Sequence, residues 1–173
     1  MSAPPTNQAI RMRRALDRPI AAAIWPAGVA PSGFAPAQAS AVHALLAIGY
    51  ADGGGTVGAF DSWWPALRTD PEFDPALIFI ARAGADIVGV AQCWTSAFVK
   101  DLVVHPKWRG CGIGEALLLR AFAEFRDRSA GAVDLNVLSG NAGACRLYHR
   151  LGMVAVADRN QTPDDIAVAR LMP

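Results

Sequence analysis

The spacing of hydrophobic and polar positions changes several times along the first half of the chain. Between Pro36 and the glycines at 53–55, apolar residues recur at helical spacing, which predicts a helix that ends at those glycines. Residues 59–75 predict a short second helix followed by a loop. Residues 76–94 contain two β-rich runs joined around Gly84, which predicts a hairpin.

The second half of the chain alternates between strand and helix patterns. Helices are predicted from the glycine-rich turn near 110 to about 128, and from about 141 to 151. Further strands are predicted at 29–34, 95–106, 132–138, 153–158 and 166–173. This order predicts an α/β (α+β) fold, in which helices flank one mixed sheet.

The N-terminal residues lack a clear period and are rich in proline, arginine and small polar types. We predict that residues 1–18 form a flexible arm and that residues 19–173 form a single domain. The arginines of the arm precede an apolar stretch at 19–30, an order that a secretory signal also shows. Prolines interrupt that stretch, which favours a folded or loosely packed arm instead.

Composition and cysteine usage narrow the class of protein. The chain has 173 residues, of which 53% are hydrophobic and 18% charged, with a net charge of +1. These values are typical of a packed domain and give no indication of a nucleic-acid partner. Cys93, Cys111 and Cys145 lack the spacing of a disulfide framework or a metal site. We therefore expect a cytoplasmic protein without a structural metal or a membrane span.

The turn "RGCGIGE" at 109–115 is the strongest candidate for a binding site. Glycines allow successive backbone N–H groups to converge on an anion at the start of the following helix. The sequence matches neither the Gly-Lys-Ser/Thr of a P-loop nor the third glycine of a dinucleotide motif. Glycines that only make a tight turn between strand and helix are the alternative.

Two blocks of sequence resemble the GNAT superfamily of N-acetyltransferases. "LVVHPKWRGCGIGEALL" is similar to the coenzyme A signature of that family, with Arg109, Gly112 and Gly114 at its defining positions. "LNVLSGNAGACRLYHRLGM" is similar to the second conserved block, although Met153 stands where phenylalanine is usual. The resemblance is strong over residues 76–153 and weak before them.

The resemblance implies a GNAT fold: a central mixed, mostly antiparallel twisted sheet whose splayed strands hold coenzyme A. It implies acetyl-CoA as cosubstrate, with no metal. The pantetheine arm would pair with the strand before the turn, and the main chain of the turn would hold the pyrophosphate. The cofactor-binding residues implied in this way are Leu102, Val103, Val104, Arg109, Gly110, Cys111, Gly112, Ile113, Gly114, Glu115 and Asn141.

The resemblance also implies the reaction, which is direct attack of a primary amine on the acetyl thioester. Tyr148 matches the position of the general acid, and a phenol suits protonation of a thiolate. The general base stays open: Asp101 lies on the strand before the turn, and strand alternation is able to direct its side chain away from the site. The alternative function is a non-catalytic acyl-CoA-binding sensor or partner module, which would keep the glycines without requiring Tyr148.

The acceptor amine and the assembly are less well defined by the sequence. We expect a small-molecule or peptide amine, and homodimerisation stays open. Acidic residues between 52 and 74 weakly favour a cationic acceptor. Trp63, Trp64 and Trp94 either line an acceptor pocket or pack in the core.

Overall fold

The computed structural model describes residues 8–52 and 55–157. Its strands are β1 (Ala9–Ala15), β2 (Val29–Gly33), β3 (Ile78–Ala83), β4 (Asp86–Trp94), β5 (Phe98–Val104), β6 (Ala132–Leu138) and β7 (Val154–Ala155). Its helices are α1 (Ala39–Tyr50), α2 (Phe60–Thr69), α3 (Ile113–Asp127) and α4 (Ala142–Arg150). Short 3-10 turns at Pro36–Gln38, Pro75–Leu77 and Pro106–Trp108 each begin with proline, which fixes the backbone for the first turn.

The described strands form one seven-stranded sheet in the order β2-β3-β4-β5-β6-β1-β7. Strands β2 to β5 pair antiparallel as a meander, and the predicted hairpin is confirmed, with Gly84 in its turn at φ 60°. Only the β5–β6 pair is parallel, because α3 crosses between them. The predicted mixed sheet flanked by helices is thereby confirmed.

Each face of the sheet carries its own buried cluster. On one face, α3 packs its apolar stripe against β3, β4 and β5, and Gly89 allows the close approach of Ile113 and Leu117. On the other face, α1 and α2 cover a smaller cluster that includes Leu46 and Val103. Residues 101–104 of β5 therefore alternate between the two faces, with Leu102 and Val104 toward α3.

The prediction of a flexible arm over residues 1–18 differs from the structure at Ala9–Ala15, which forms β1 between β6 and β7. Met12 of β1 lies in the core, whereas Arg11 and Arg13 on the opposite face bind Asp134 of β6 at 2.7 Å each. Burial raises the pKa of Asp134, but the hydrogen bonds from the two arginines outweigh it and hold that pKa below its ordinary value. Arg11 and Arg13 are therefore held in β1 by ion pairs with Asp134 on the neighbouring strand β6.

The C-terminal strands are only partly within the described region. The strand predicted at 153–158 is reduced to Val154–Ala155, which pairs with β1. The strand predicted at 166–173 and residues 1–7 lie outside the described residues. Across residues 8–52 and 55–157, we find no helix with the length and apolar character needed to cross a bilayer.

Helix α1 packs tightly against β5 at Gly49. A Cβ added at Gly49 of α1 would overlap the side chain of Val103 on β5. We expect Gly49→Ala to lower the free energy of unfolding by roughly 1–3 kcal/mol through overpacking, although alanine is the better helix former. Urea unfolding would measure the change.

Gly131→Ala is the matched control, because a Cβ there meets no atom within 4 Å. We expect it to change stability by less than about 0.5 kcal/mol. Equal stability of the two variants would contradict tight packing of α1 on β5.

Candidate active site

The site begins where two neighbouring strands separate. Strands β5 and β6 pair only at Phe98 with Asp134 and at Val99 with Leu135. Beyond these pairs β5 continues to Val104 and β6 to Leu138 without pairing, so a wedge opens between them. This splayed geometry is the one that the family resemblance implies.

The hydrogen bonds of β5 show which backbone groups face the wedge. The N–H of His105 donates to the carbonyl of Val88 on β4 at 2.8 Å. Because successive residues of a strand point their backbone groups in opposite directions, those of Leu102 and Val104 face the wedge. Val103 points its backbone toward β4 and its side chain toward α1. The structure therefore brings Leu102 and Val104 to the wedge but does not bring Val103 there.

The glycine turn lies at the open end of the wedge. Gly110 and Gly112 have φ values of 77° and 93°, a left-handed region that other residues rarely adopt. A Cβ at either position would meet no atom within 4 Å. Gly112 is the N-cap of α3, and no side chain caps the helix. The first N–H groups of α3 are thus left without intrahelical or side-chain partners, as an anion site requires.

A cavity of about 230 Å³ lies between this turn and α4. Seven of the predicted cofactor residues contribute to its wall, which supports a common binding role for the turn and the end of β5. These residues are Val104, Arg109, Gly110, Gly112, Ile113, Gly114 and Glu115. Leu102 lies buried on the wedge side of β5, while Cys111 and Asn141 are outside the cavity wall.

Sequence reasoning missed the part of the cavity wall that α4 contributes, together with Trp108. The missed α4 residues are Gly143, Arg146, Leu147 and Arg150. Their spacing of three and four residues along one helix face is a signal that the sequence contains. Arg150 also donates to Glu115 of α3 at 2.6 Å, so an ion pair joins the two sides of the cavity.

The side chain of Arg109 is directed into the protein. Its Nε donates to the carbonyl of Val104 at 3.2 Å, and its Nη1 lies 3.6 Å from a carboxylate oxygen of Asp52. Only 7% of the side chain is exposed. Arg109 therefore braces the turn against β5 and the end of α1, and its main chain remains at the cavity.

Helix α4, which supplies part of the cavity wall, also carries Tyr148. Asn141 caps the helix by accepting a hydrogen bond from the N–H of Ala144 at 3.1 Å, as the sequence predicts. Tyr148 is fully buried, and its hydroxyl has no hydrogen-bond partner among the described residues. Burial, with a smaller contribution from Cys145, raises the pKa of Tyr148 above that of an ordinary tyrosine. The phenol is thus a protonated donor without an acceptor within residues 8–52 and 55–157.

On the α1 face of the sheet, buried Asp101 is bound by two polar side chains. The hydroxyl of Tyr50 donates to Oδ1 of Asp101, and Nζ of Lys100 lies 3.0 Å from Oδ2. Lys100 also lies 5.7 Å from the ring centre of Trp94. Asp101 thus faces away from α3, as strand alternation suggests, and toward α1.

The aromatic residues near α2 form a half-buried cluster over the same face. Trp63 and Trp64 lie 6.1 Å apart between ring centres, and Phe73 packs edge-on against Trp64 at 6.0 Å. His43 of α1 packs at a tilt against Trp63, with 5.2 Å between the ring centres, and forms a hydrogen bond with the carbonyl of Gly58. These rings pack against one another and remain partly accessible. Within the described ranges, no group of three metal-ligating side chains occurs.

Comparison with known proteins identifies the family. The model of the family described as "Acetyltransferase (GNAT) family" matches residues 49–153, which include the wedge, the glycine turn and Tyr148. The chain belongs to the GNAT family of acetyltransferases. This result confirms the resemblance on which the expected fold depends.

Individual relatives agree with this assignment. A mycothiol acetyltransferase from Thermobispora bispora is 33% identical over 159 residues, which cover 82% of this chain and 52% of the relative. A streptothricin acetyltransferase from Streptomyces lavendulae is 29% identical over 134 residues, covering 75% and 67%. The chain thus spans about half the length of the mycothiol acetyltransferase that it matches.

A solved structure of another GNAT protein has the same fold as this chain. The crystal structure of a GCN5-related N-acetyltransferase from Sphaerobacter thermophilus aligns with a TM-score of 0.75 and 28% identity. The alignment covers 86% of this chain and 48% of that one.

Proposed function

We propose that this GNAT chain transfers the acetyl group of acetyl-CoA to a primary amine by direct attack. The observation that carries the proposal is the wedge between β5 and β6 with the glycine turn and its cavity at the open end. Helix α4, which supplies part of the cavity wall, also carries Tyr148, whose buried hydroxyl has no hydrogen-bond partner among the described residues. An acyl thioester held in the wedge would receive its proton from this phenol. GNAT acetyltransferases use acetyl-CoA as cosubstrate, and the residues present fit that molecule.

The main chain would supply most of the cosubstrate contacts. Leu102 and Val104 direct backbone groups that have no partner on β6 into the wedge, although the carbonyl of Val104 accepts a hydrogen bond from Arg109. An extended amide-containing arm can bind there as an added strand. The N–H groups from Gly112 to Glu115 would bind the pyrophosphate at the start of α3. Arg109 holds this turn in place from the protein side.

Acetyl-CoA supplies an acetyl thioester, and the protein positions an amine against it. The amine nitrogen forms a bond to the acetyl carbon, and the bond from carbon to sulfur breaks with its electron pair on sulfur. Tyr148 donates a proton to the departing sulfur, which gives free coenzyme A. The nitrogen loses one proton as the amide forms, and that proton restores the phenol of Tyr148, which leaves the acetylated amine as product. The raised pKa of Tyr148 keeps the phenol protonated before transfer.

The relatives favour a small-molecule acceptor. Two of them are named for mycothiol and streptothricin, which are small molecules. The acceptor would approach from the α1 and α2 face, where partly accessible aromatic rings and acidic side chains border the sheet. A peptide amine remains within the proposed class.

The alternative is a module that binds acyl-CoA without catalysis. Such a module needs the cavity and the wedge but has no use for a buried, unpartnered phenol beside them. The hydroxyl of Tyr148 therefore favours the enzyme.

A panel of amines separates these two functions. We expect acetyl-CoA and small primary amines, including diamines, amino alcohols, amino sugars and streptothricin, to release free thiol that a colorimetric thiol reagent detects. A short peptide with a free N-terminus tests the other acceptor class. Tight binding of acetyl-CoA with no thiol release above the buffer rate across the panel would favour the binding module.

Gly112→Ala tests whether the turn binds the cosubstrate. At 100 times its dissociation constant, acetyl-CoA should stabilise the wild type by roughly 2.7 kcal/mol, a rise in Tm of about 5–10 °C. We expect the variant to lose this rise, because a methyl group at the N-cap would block the anion.

Gly84→Ala is the matched control, since Gly84 also has a positive φ and no atom within 4 Å of an added Cβ. Both variants therefore bear left-handed strain, and only Gly112→Ala should lose the response to acetyl-CoA. A full response in Gly112→Ala, or an equal response of the wild type to NAD, would contradict the proposed site.

Tyr148→Phe tests the general acid. Phenylalanine preserves the buried ring and removes the proton, so we expect kcat to fall roughly 100-fold or more. Acetyl-CoA affinity, measured by calorimetry, should change little. Because burial raises the pKa of Tyr148, wild-type activity should show no alkaline loss from this group below about pH 10. Near-normal turnover of the variant would assign the proton to water or to another group.

A further inference from the structure

An ion pair between Glu115 and Arg150 joins two walls of the cavity at the glycine turn. Glu115 lies in the first turn of α3 and Arg150 in the last turn of α4, and both line the cavity. Oε2 of Glu115 accepts hydrogen bonds from Nη2 of Arg150 at 2.6 Å and from its Nε at 3.2 Å. This carboxylate is therefore an anion, supplied by the chain itself, that binds a cationic side chain of the cavity.

The rest of the cavity wall favours negatively charged ligands. Among the described residues that line it, three are arginines and only Glu115 is acidic. The arginines are Arg109, Arg146 and Arg150. Arg146 is exposed, and it forms no ion pair within the described parts of the chain. Such a wall attracts phosphate groups, and the carboxylate of Glu115 is the side-chain group of it that repels them.

The main chain and the side chain of Glu115 act in opposite directions on an anion at the turn. Its N–H belongs to the first turn of α3, where the uncapped N–H groups and the helix dipole favour negative charge. Its carboxylate favours the same helix end and points back toward the glycine turn, because helical side chains tilt toward the N-terminus. A diphosphate held by the turn would therefore meet a second negative charge, and the two would repel each other.

The geometry of the ion pair allows it to open at low cost. The side chain of Arg150 is 60% exposed and that of Glu115 is 37% exposed, so water screens their attraction. Both nitrogens of Arg150 converge on the same carboxylate oxygen, which is not the arrangement of two parallel hydrogen bonds that makes such pairs strong. A phosphate group offers that arrangement and more negative charge, so it competes well with Glu115 for the guanidinium.

We propose that Glu115 is an internal competitor of the cosubstrate phosphates for Arg150. Binding of acetyl-CoA moves the guanidinium of Arg150 from the carboxylate of Glu115 to a phosphate oxygen, and departure of coenzyme A restores the ion pair. Glu115 thereby weakens binding of the cosubstrate and speeds release of the product. This inference rests on the proposed function and deepens it, because it names a residue that sets the affinity of the same site.

Glu115→Gln tests the competition directly. Glutamine preserves the length of the side chain and removes its charge, so Arg150 is available to a phosphate from the start. We expect the Kd of acetyl-CoA, measured by calorimetry, to fall about threefold to tenfold. The dissociation rate of coenzyme A should fall by a similar factor, since affinity differences between related complexes arise mostly in that rate. Stopped-flow fluorescence would measure it, with Trp108 of the cavity wall as a reporter.

Arg150→Gln removes the other member of the pair and should act in the opposite direction. We expect the Kd of acetyl-CoA to rise about tenfold or more, because a charge-assisted contact with phosphate is lost. S-acetylpantetheine contains the acetyl thioester and the pantetheine arm but no phosphate. At one fixed, high concentration of this probe, the rise in Tm should be the same in the wild type and in both variants.

Glu124→Gln is the matched control on the same helix. Glu124 also has a side chain that is 37% exposed, and it binds Arg128 at 2.7 Å near the other end of α3. We expect its affinity for acetyl-CoA to stay within about twofold of the wild type. Without ligand, the two glutamine variants should melt at similar temperatures, because each loses one exposed ion pair.

Unchanged or weaker binding of acetyl-CoA by Glu115→Gln, in a protein that melts like the Glu124→Gln control, would overturn the competition. Unchanged binding by Arg150→Gln would do the same, as would equal effects of either variant on acetyl-CoA and on S-acetylpantetheine. These measurements need no acceptor, so they are separate from the test of the proposed function. If no amine is acetylated, the proposed transfer fails, while the binding data still decide the role of Glu115.

Discussion

The early end of pairing between β5 and β6 is the constraint on which the rest of the structure depends. A parallel pair that formed its full ladder would satisfy the backbone of both strands and close the sheet. Here two residue pairs hold the strands together at one end, and the remaining length of each diverges. Backbone groups of β5 that have no partner on β6 cost free energy unless another polar chain binds them, and the start of α3 nearby also lacks a capping side chain. The backbone groups of β5 without a partner on β6 and the uncapped N–H groups of α3 therefore form one continuous polar surface.

Helix α1 connects the two sides of this opening. Its last turn contacts β5 through Gly49 on Val103 and through Tyr50 on Asp101. Immediately afterwards, Asp52 approaches Arg109, which braces the glycine turn. A single turn of helix thus touches the strand, the carboxylate of Asp101 and the residue that supports the turn. The described contacts make the α1 face of the sheet and the glycine turn parts of one packed unit.

The sequence predicted those features that depend on neighbours along the chain. The β3–β4 hairpin, the glycine turn and the cap at Asn141 all involve residues within a few positions of one another. It failed at β1, where arginines indicated a mobile arm because their partner Asp134 lies more than 120 residues away. The bond between Tyr50 and Asp101 spans 51 positions, and no local pattern marks it. The cavity residues of α4 share one helix face, which their spacing in the sequence shows. That face is recognised as a cavity wall only when the fold places α4 opposite α3.

The segment of β5 that follows the bulge at Lys100 should tolerate insertions and deletions much less well than the preceding hairpin. From the bulge to Val104, each residue has an assigned side of the sheet: Asp101 and Val103 face α1, and Leu102 and Val104 face α3 and the wedge. Removing or adding one residue there would exchange the two sets, because strand side chains alternate. Residues around Gly84, at the exposed tip of the preceding hairpin, carry no such assignment. Natural or engineered variation in loop length should therefore accumulate at that tip, while the spacing between bulge and glycine turn stays constant.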